Sequence, residues 1–213
     1  MKKLLAALAL LACLLPLPAG AESFLPSVEL WGSVSFGALG SGLQKDFPDG
    51  TLSPKPDSYT AFLPMIGLRG YLIGPVGLEA SSGFFGTTRA TADGYQPLDL
   101  YNYFMINAGP VVRLGFRTGA RSAVAILLGG GVNYSFPSYA NDFKSVWASM
   151  GLSLADLTSD VGWYGKAGFA WYPFPGLFLD TTFWYYYMNA KNTNGVTVDG
   201  TYYLFAFSIG FGI

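Results

Sequence analysis

Six charged residues stand out in a chain otherwise poor in charge: Glu29, Arg69, Glu79, Arg113, Lys166 and Asp180. Each interrupts a segment of alternating bulky and small residues. Three are acidic and three basic, so together they can form ion pairs, hold a polar solute or carry a proton. Lipid-modifying and proteolytic mechanisms that use a histidine base are excluded, because the sequence holds no histidine. A carboxylate-only site remains open, but these carboxylates stand opposite bases. No cysteine–histidine cluster, phosphate-binding glycine loop or dinucleotide fingerprint occurs, and no cofactor is expected.

The elements that carry these charges decide what they do. Eight segments show period-two alternation, at about 28–40, 58–73, 76–88, 100–116, 123–136, 161–173, 177–189 and 201–213. In the last, Tyr203, Phe205, Phe207, Ile209 and Phe211 share one face, and Tyr202, Leu204, Ala206, Ser208, Gly210 and Gly212 the other. The fifth repeats the pattern, with Val124, Ile126, Leu128, Val132, Tyr134 and Phe136 set against Ala125, Gly129, Gly131, Asn133 and Ser135. In each of the six segments that hold one, the charge falls on the face opposite the bulky apolar one. Trp31, Tyr71, Tyr101, Tyr103, Tyr164, Trp184 and Tyr186 share that inner face. Trp163, Trp171, Tyr185, Tyr187 and Phe211 fall on the outer one, where they suit an interfacial girdle.

Composition says what the bulky face meets. The chain is 51% hydrophobic and 12% charged, about half the charge of an ordinary soluble domain. After the N-terminus no apolar run is long and unbroken enough for a membrane helix, which needs about 20 residues. A closed barrel resolves this, because its backbone groups bond between strands while its outside faces lipid. The connections alternate: short at Gly74-Pro75, Thr118-Gly119-Ala120 and Phe174-Pro175-Gly176, long at 41–57, 89–99, 137–160 and 190–200. That is the periplasmic-turn and outer-loop asymmetry of outer-membrane barrels. The predicted fold is all-β, an eight-stranded antiparallel transmembrane up-and-down barrel.

The N-terminus reads as a signal peptide over residues 1–21: Met1-Lys2-Lys3, an apolar run from Leu4 to Leu17, then Ala19-Gly20-Ala21. The barrel domain is then 22–213. Losing Lys2 and Lys3 takes the formal net charge from −1 to −3, which argues against a nucleic-acid partner. The lone cysteine, Cys13, lies in the leader.

Antiparallel neighbours keep a constant index sum, which sets the charges against one another. The turn at Gly74-Pro75 places Arg69 opposite Glu79. The same logic allows Glu29 to face Arg69 and Glu79 to face Arg113, although long loops leave those two registers loose. Lys166 falls beside Trp184, so a link between Lys166 and Asp180 must cross the lumen. Most of the six lie just above a short turn and form one layer in the periplasmic half. Alternating signs neutralise rather than select, so the layer reads as a buried ion-pair network more than as a selective pore. Arg117 and Arg121 flank a periplasmic turn and are expected in solvent.

The third long loop carries Phe143, Val146, Trp147 and Met150 at helical spacing, one face of a short helix with Asn141 as its cap. This is the candidate contact surface for an apolar ligand.

From Gly129 to Tyr187 the chain resembles the OmpW family of small outer-membrane barrels. The likeness rests on Gly131-Val132-Asn133-Tyr134, the long third loop, Ser159-Asp160-Val161-Gly162-Trp163, and the aromatic strand Leu177–Tyr187. The earlier strands fit OmpA-like eight-stranded barrels equally. The OmpW resemblance implies a narrow barrel for passage of small hydrophobic molecules. The chain departs from that pattern in its charged lumen layer and in ending on Ile213, with Phe211 two residues back, where such barrels end on an aromatic. The expected function is therefore a passive conduit or binding barrel for small hydrophobic molecules in the bacterial outer membrane. The alternative is a structural or surface-interaction barrel with a sealed lumen. Expected partners are outer-membrane lipid, small hydrophobic solutes and the barrel-assembly machinery.

Overall fold

Alternation becomes a ladder in the C-terminal strand, where Phe205, Phe207 and Ile209 point outward and Leu204, Ala206 and Ser208 are buried. The computed structural model describes residues 25–39, 58–90, 98–149, 151, 156–187, 189–192, 197–199 and 201–213. The predicted signal peptide and the first long loop lie outside the described residues.

Eight long strands form the barrel: β1 (Val28–Leu39), β2 (Ser58–Ile73), β3 (Val76–Ala90), β4 (Leu98–Arg117), β5 (Ala123–Tyr139), β7 (Asp160–Phe174), β8 (Leu177–Tyr187) and β11 (Tyr202–Gly212). Every adjacent pair is antiparallel, and the ring order is β1-β11-β8-β7-β5-β4-β3-β2. The first and last strands close it, from Glu29 opposite Gly212 to Leu39 opposite Tyr202. Closure leaves no unpaired edge, the condition for crossing a bilayer with strands.

Two tight connections show why their residues are there. Gly74 and Gly176 both adopt positive φ, at 54° and 89°. Pro175 followed by a positive-φ glycine is the residue pattern of a type II turn. The third periplasmic connection is a wider turn in which the N–H groups of Thr118 and Gly119 both donate to the Ser122 carbonyl. Arg117 and Arg121 beside it are exposed.

Three of the prolines inside strands, Pro64, Pro110 and Pro173, interrupt pairing. The β2–β3 ladder skips Leu63 and Pro64, and the β4–β5 ladder skips Gly109 and Pro110. Proline has no N–H to donate, so a ladder bond is lost at each. At Pro64 and Pro110 pairing resumes on the same index sum, so the register survives; at Pro173 the β7–β8 ladder shifts, from Trp171 opposite Leu179 to Phe174 opposite Leu177.

Some boundaries differ from the sequence reading. β5 runs on to Tyr139, so the third outer connection begins later than Pro137. β8 ends at Tyr187, and the last connection carries β9 (Asn189–Asn192) and β10 (Thr197–Asp199). These join β6 (Leu157–Thr158) in a three-stranded sheet of order β10-β9-β6. The helix expected in the third loop is α1, Asn141–Ser149. Its first backbone bond runs from the Lys144 N–H to the Ala140 carbonyl. Ala140 therefore holds the cap position, and Asn141 is already the first helical residue. The side chains of Phe143, Val146 and Trp147, and the whole of Met150, lie outside the described residues, as does the side chain of Tyr101.

Outside, the barrel presents Leu30, Val34, Ile66, Leu68, Leu78, Ile106, Val132, Phe169 and Phe207, all exposed. Inside, it is filled. The largest buried side chains are Trp31, Trp184, Arg69, Tyr103, Tyr172, Tyr186, Tyr202 and Phe178. Eight strands enclose an interior just wide enough for side chains to fill.

Candidate functional site

Strand parity brings all six charged residues into the lumen, and all six are buried. They come from six different strands: Glu29 from β1, Arg69 from β2, Glu79 from β3, Arg113 from β4, Lys166 from β7 and Asp180 from β8. Charges taken out of water this completely are tolerated only when paired and hydrogen-bonded.

The pairing has two centres. Glu29 is the first. Its Oε1 accepts from Arg113 Nη1 at 2.5 Å and from the Tyr172 hydroxyl at 2.6 Å. Its Oε2 accepts from Arg69 Nη1 at 3.3 Å and from the Tyr71 hydroxyl at 3.4 Å. Arg69 is the second. Besides Glu29, its Nε donates to Glu79 Oε2 at 2.6 Å, and its Nη1 lies 2.8 Å from Asp180 Oδ2. Lys166 Nζ also donates to Glu79 Oε2. Three cations balance three carboxylates, so the layer is neutral if all six are ionised.

Aromatic rings wall this layer. The Arg69 guanidinium lies 5.0 Å from the Trp31 ring centroid, Lys166 Nζ 4.5 Å from that of Trp184, and the Arg113 guanidinium 3.7 Å from that of Tyr71. Cation–π contacts of this kind strengthen when water is excluded. β5 contributes space rather than charge: a Cβ at Gly129 would sit 2.9 Å from Lys166 Cε. Above the charges, Tyr164 stacks on Trp184 at 5.3 Å and Trp184 on Tyr186 at 5.6 Å.

Farther toward the outer end the lumen is polar, then apolar. Asn107 Nδ2 donates to Ser81 Oγ at 3.2 Å and to the Tyr186 hydroxyl at 3.3 Å. Asn133, directly opposite Asn107, is buried with neither end of its amide bonded to another protein group. Leu63, Met105, Tyr103, Tyr202 and Leu204 are fully buried beyond this belt.

The structure places Arg69 opposite both Glu29 and Glu79, and Lys166 opposite Trp184. It does not pair Glu79 with Arg113. Glu79 faces Gly109 and Arg113 faces Leu127, so Arg113 reaches to Glu29 instead, and Lys166 takes the free side of Glu79. Asp180 finds Arg69 across the lumen. The sequence reading missed Tyr172 and Asn107, although both share inward parity with a named charge: Tyr172 with Lys166 on β7, Asn107 with Arg113 on β4. It also missed the Pro26 carbonyl, which accepts from Arg113 Nη2 at 2.7 Å.

A closed eight-stranded antiparallel barrel with an apolar outer belt and a filled, charged lumen defines the class: this is a small bacterial outer-membrane β-barrel protein. Among solved structures it is similar to Neisserial surface protein A, with a TM-score of 0.55 and 14% identity, over 88% of this chain and 97% of that one. It also matches OprG from Pseudomonas aeruginosa (TM-score 0.47, 14% identity, 89% of this chain and 95% of that one). A further match is Ail of Yersinia pestis, solved in complex with the heparin analogue sucrose octasulfate (TM-score 0.46, 14% identity, 89% and 99%). At this identity the likeness is one of fold. No family model and no curated protein matches the sequence.

Proposed function

We propose that the chain is a sealed outer-membrane barrel that anchors a functional outer surface and does not conduct solutes through its lumen. The observation that carries this reading is the stack of buried side chains along the interior. Tyr71, Arg113, Glu29 and Tyr172 fill the periplasmic end. Arg69, Glu79, Lys166 and Asp180 lie with Trp31 and Trp184 above them, and Tyr103, Tyr202 and Leu63 close the outer half. A small hydrophobic molecule entering from outside would have to displace paired charges to pass. Opposite signs in contact neutralise the lumen, whereas a selective filter presents one sign to its ion.

The same arrangement explains the layer as structural. Six strands are tied to one another by side chains as well as by the backbone ladder. Outer-membrane lipid is then the partner of the apolar belt, and the barrel-assembly machinery the agent of insertion. The surface available for recognition is at the outer end, where α1 and the β10-β9-β6 sheet rise above the barrel.

Planar-bilayer recording of the purified mature chain tests the reading. A sealed lumen gives no unitary current steps at protein densities where a porin control conducts. Reproducible steps from the folded, heat-shiftable protein would overturn it in favour of the conduit.

A further inference from the structure

At the periplasmic mouth Leu25 and Pro26 lie against the lumen, just before β1. Pro26 is buried, and Leu25 packs against the lumen core. The backbone N–H groups of Ser27 and Val28 both donate to the Ile213 carbonyl, and the Ser27 carbonyl accepts from the Tyr71 N–H at 2.8 Å. These bonds tie the segment to the two strands flanking β1. The Pro26 carbonyl, however, is held from farther away, by Arg113 on β4. In the ring β4 is separated from β1 by β3 and β2, so Arg113 reaches over the lumen to hold it.

Arg113 is itself fixed in place. Nη1 is bound to Glu29 at 2.5 Å, and the guanidinium lies against the Tyr71 ring. One face and one edge of the cation are therefore set before Nη2 meets Pro26. The segment it holds has no ladder of its own beyond Ser27. A stretch with few bonds opens at low free energy.

We propose that Leu25–Pro26 is a stopper for the periplasmic mouth, latched by Arg113 and separable from the cluster of Arg69, Glu79, Lys166 and Asp180 above it. The stopper closes the base of the lumen, and the barrel strands do not depend on it. When it lifts, Arg113, Tyr71 and Tyr172 face the periplasm while Arg69, Glu79, Lys166 and Asp180 still block the lumen.

Two substitutions dislodge the stopper by different means. Arg113→Gln removes the latch. Gly212→Ala leaves every charge in place, but its methyl group would run into the Pro26 ring and lie 2.9 Å from the Val28 carbonyl. Ala123 supplies the reporter. It is the first residue of β5, at the rim, fully buried, and opposite Tyr172. Residues 22–213 contain no cysteine, so Ala123→Cys is read alone.

The measurement is the labelling rate of Ala123→Cys by a small, charged methanethiosulfonate, with the heat-dependent mobility shift as folding control. Labelling is expected to be slow with the native stopper and about tenfold faster with Gly212→Ala or Arg113→Gln. Arg113→Gln leaves Glu29 short of a partner and tests the inference only where it folds; Gly212→Ala keeps the test open if it does not. A folded Gly212→Ala barrel that labels at the native rate overturns the stopper.

Discussion

Asp180 on β8 and Arg69 on β2 meet with Oδ2 and Nη1 2.8 Å apart, across the two strands that close the barrel. In the ring, β11 and β1 lie between them. The seam where the first strand finds the last is therefore spanned by an ion pair as well as sewn by a backbone ladder. Arg69 also holds Glu29 on β1 and Glu79 on β3, so one guanidinium joins four strands.

Removing that guanidinium leaves three buried carboxylates short of a partner. Arg69→Ala should destabilise the barrel by roughly 3–5 kcal/mol, because the cost is that of uncompensated buried charge. Urea unfolding in lipid vesicles, followed by tryptophan fluorescence, measures it. A loss below about 1 kcal/mol, the scale of an exposed ion pair, would mean that the lumen at Arg69 is wet.

The seam-spanning contact is separable from the rest of the network by a double-mutant cycle. Asp180→Asn, Arg69→Met and the double variant should show a coupling energy of about 0.5–3 kcal/mol, the range for residues in one network. Additive losses would show that the two residues are neighbours without being partners.

The outer face should reject what the inner face accommodates. Ile66 points outward at the middle of β2 and is 58% exposed, and Leu72 is 74% exposed near the periplasmic turn. Ile66→Arg should cost about 2–4 kcal/mol in a bilayer and Leu72→Arg about 0–1, because the penalty falls with distance from the midplane. Equal costs would argue that this face does not meet hydrocarbon.

Two glycines on the strands either side of β5 should respond in opposite ways to the same methyl group. A Cβ at Gly109 would run into the Gly130 carbonyl and sit 2.6 Å from Gly131 Cα, whereas Gly165 has nothing within 4 Å. Gly109→Ala should destabilise by about 1–3 kcal/mol, the usual cost of overpacking. Gly165→Ala should be neutral or gain up to about 1 kcal/mol by restricting the unfolded chain. The same urea titration compares the two.

Much of this architecture was legible in the sequence, for physical reasons. A face that meets lipid tolerates no charge, so Glu29, Arg69, Glu79, Arg113, Lys166 and Asp180 reveal which parity points inward. A two-residue turn fixes an index sum, and Gly74-Pro75 set Arg69 against Glu79. What was not legible follows from the same physics. Long loops impose no register, so Arg113 was placed beside Glu79, whereas the β3–β4 ladder sets Gly109 opposite Glu79 and brings Arg113 to the Pro75 carbonyl. Lumen side chains also reach across the ring to strands the ladder does not adjoin, as Arg113 does to Glu29. β9 and β10 were hidden because their short polar stretches carry no alternation to read. Leu25–Ser27 was hidden because its anchoring is through backbone groups, which no side-chain pattern announces.

The last prediction separates the sealed barrel from the conduit at its outer end. α1 spans Asn141–Ser149, and helical spacing sets Phe143, Val146 and Trp147 along one side of it, with Met150 next in the series. Apolar side chains on an outer loop need a reason, since exposing them to water is unfavourable. If they receive a hydrophobic solute for passage, Phe143→Ser with Trp147→Ser should slow its uptake by vesicles while leaving the heat shift intact, because α1 lies outside the barrel ladder. The sealed reading expects otherwise: native and doubly substituted chains should both match protein-free vesicles. Native uptake well above that baseline, falling in the double variant, would restore the conduit with α1 as its receiving surface. Elevated uptake that is equal in the two would keep the conduit and remove α1 from it.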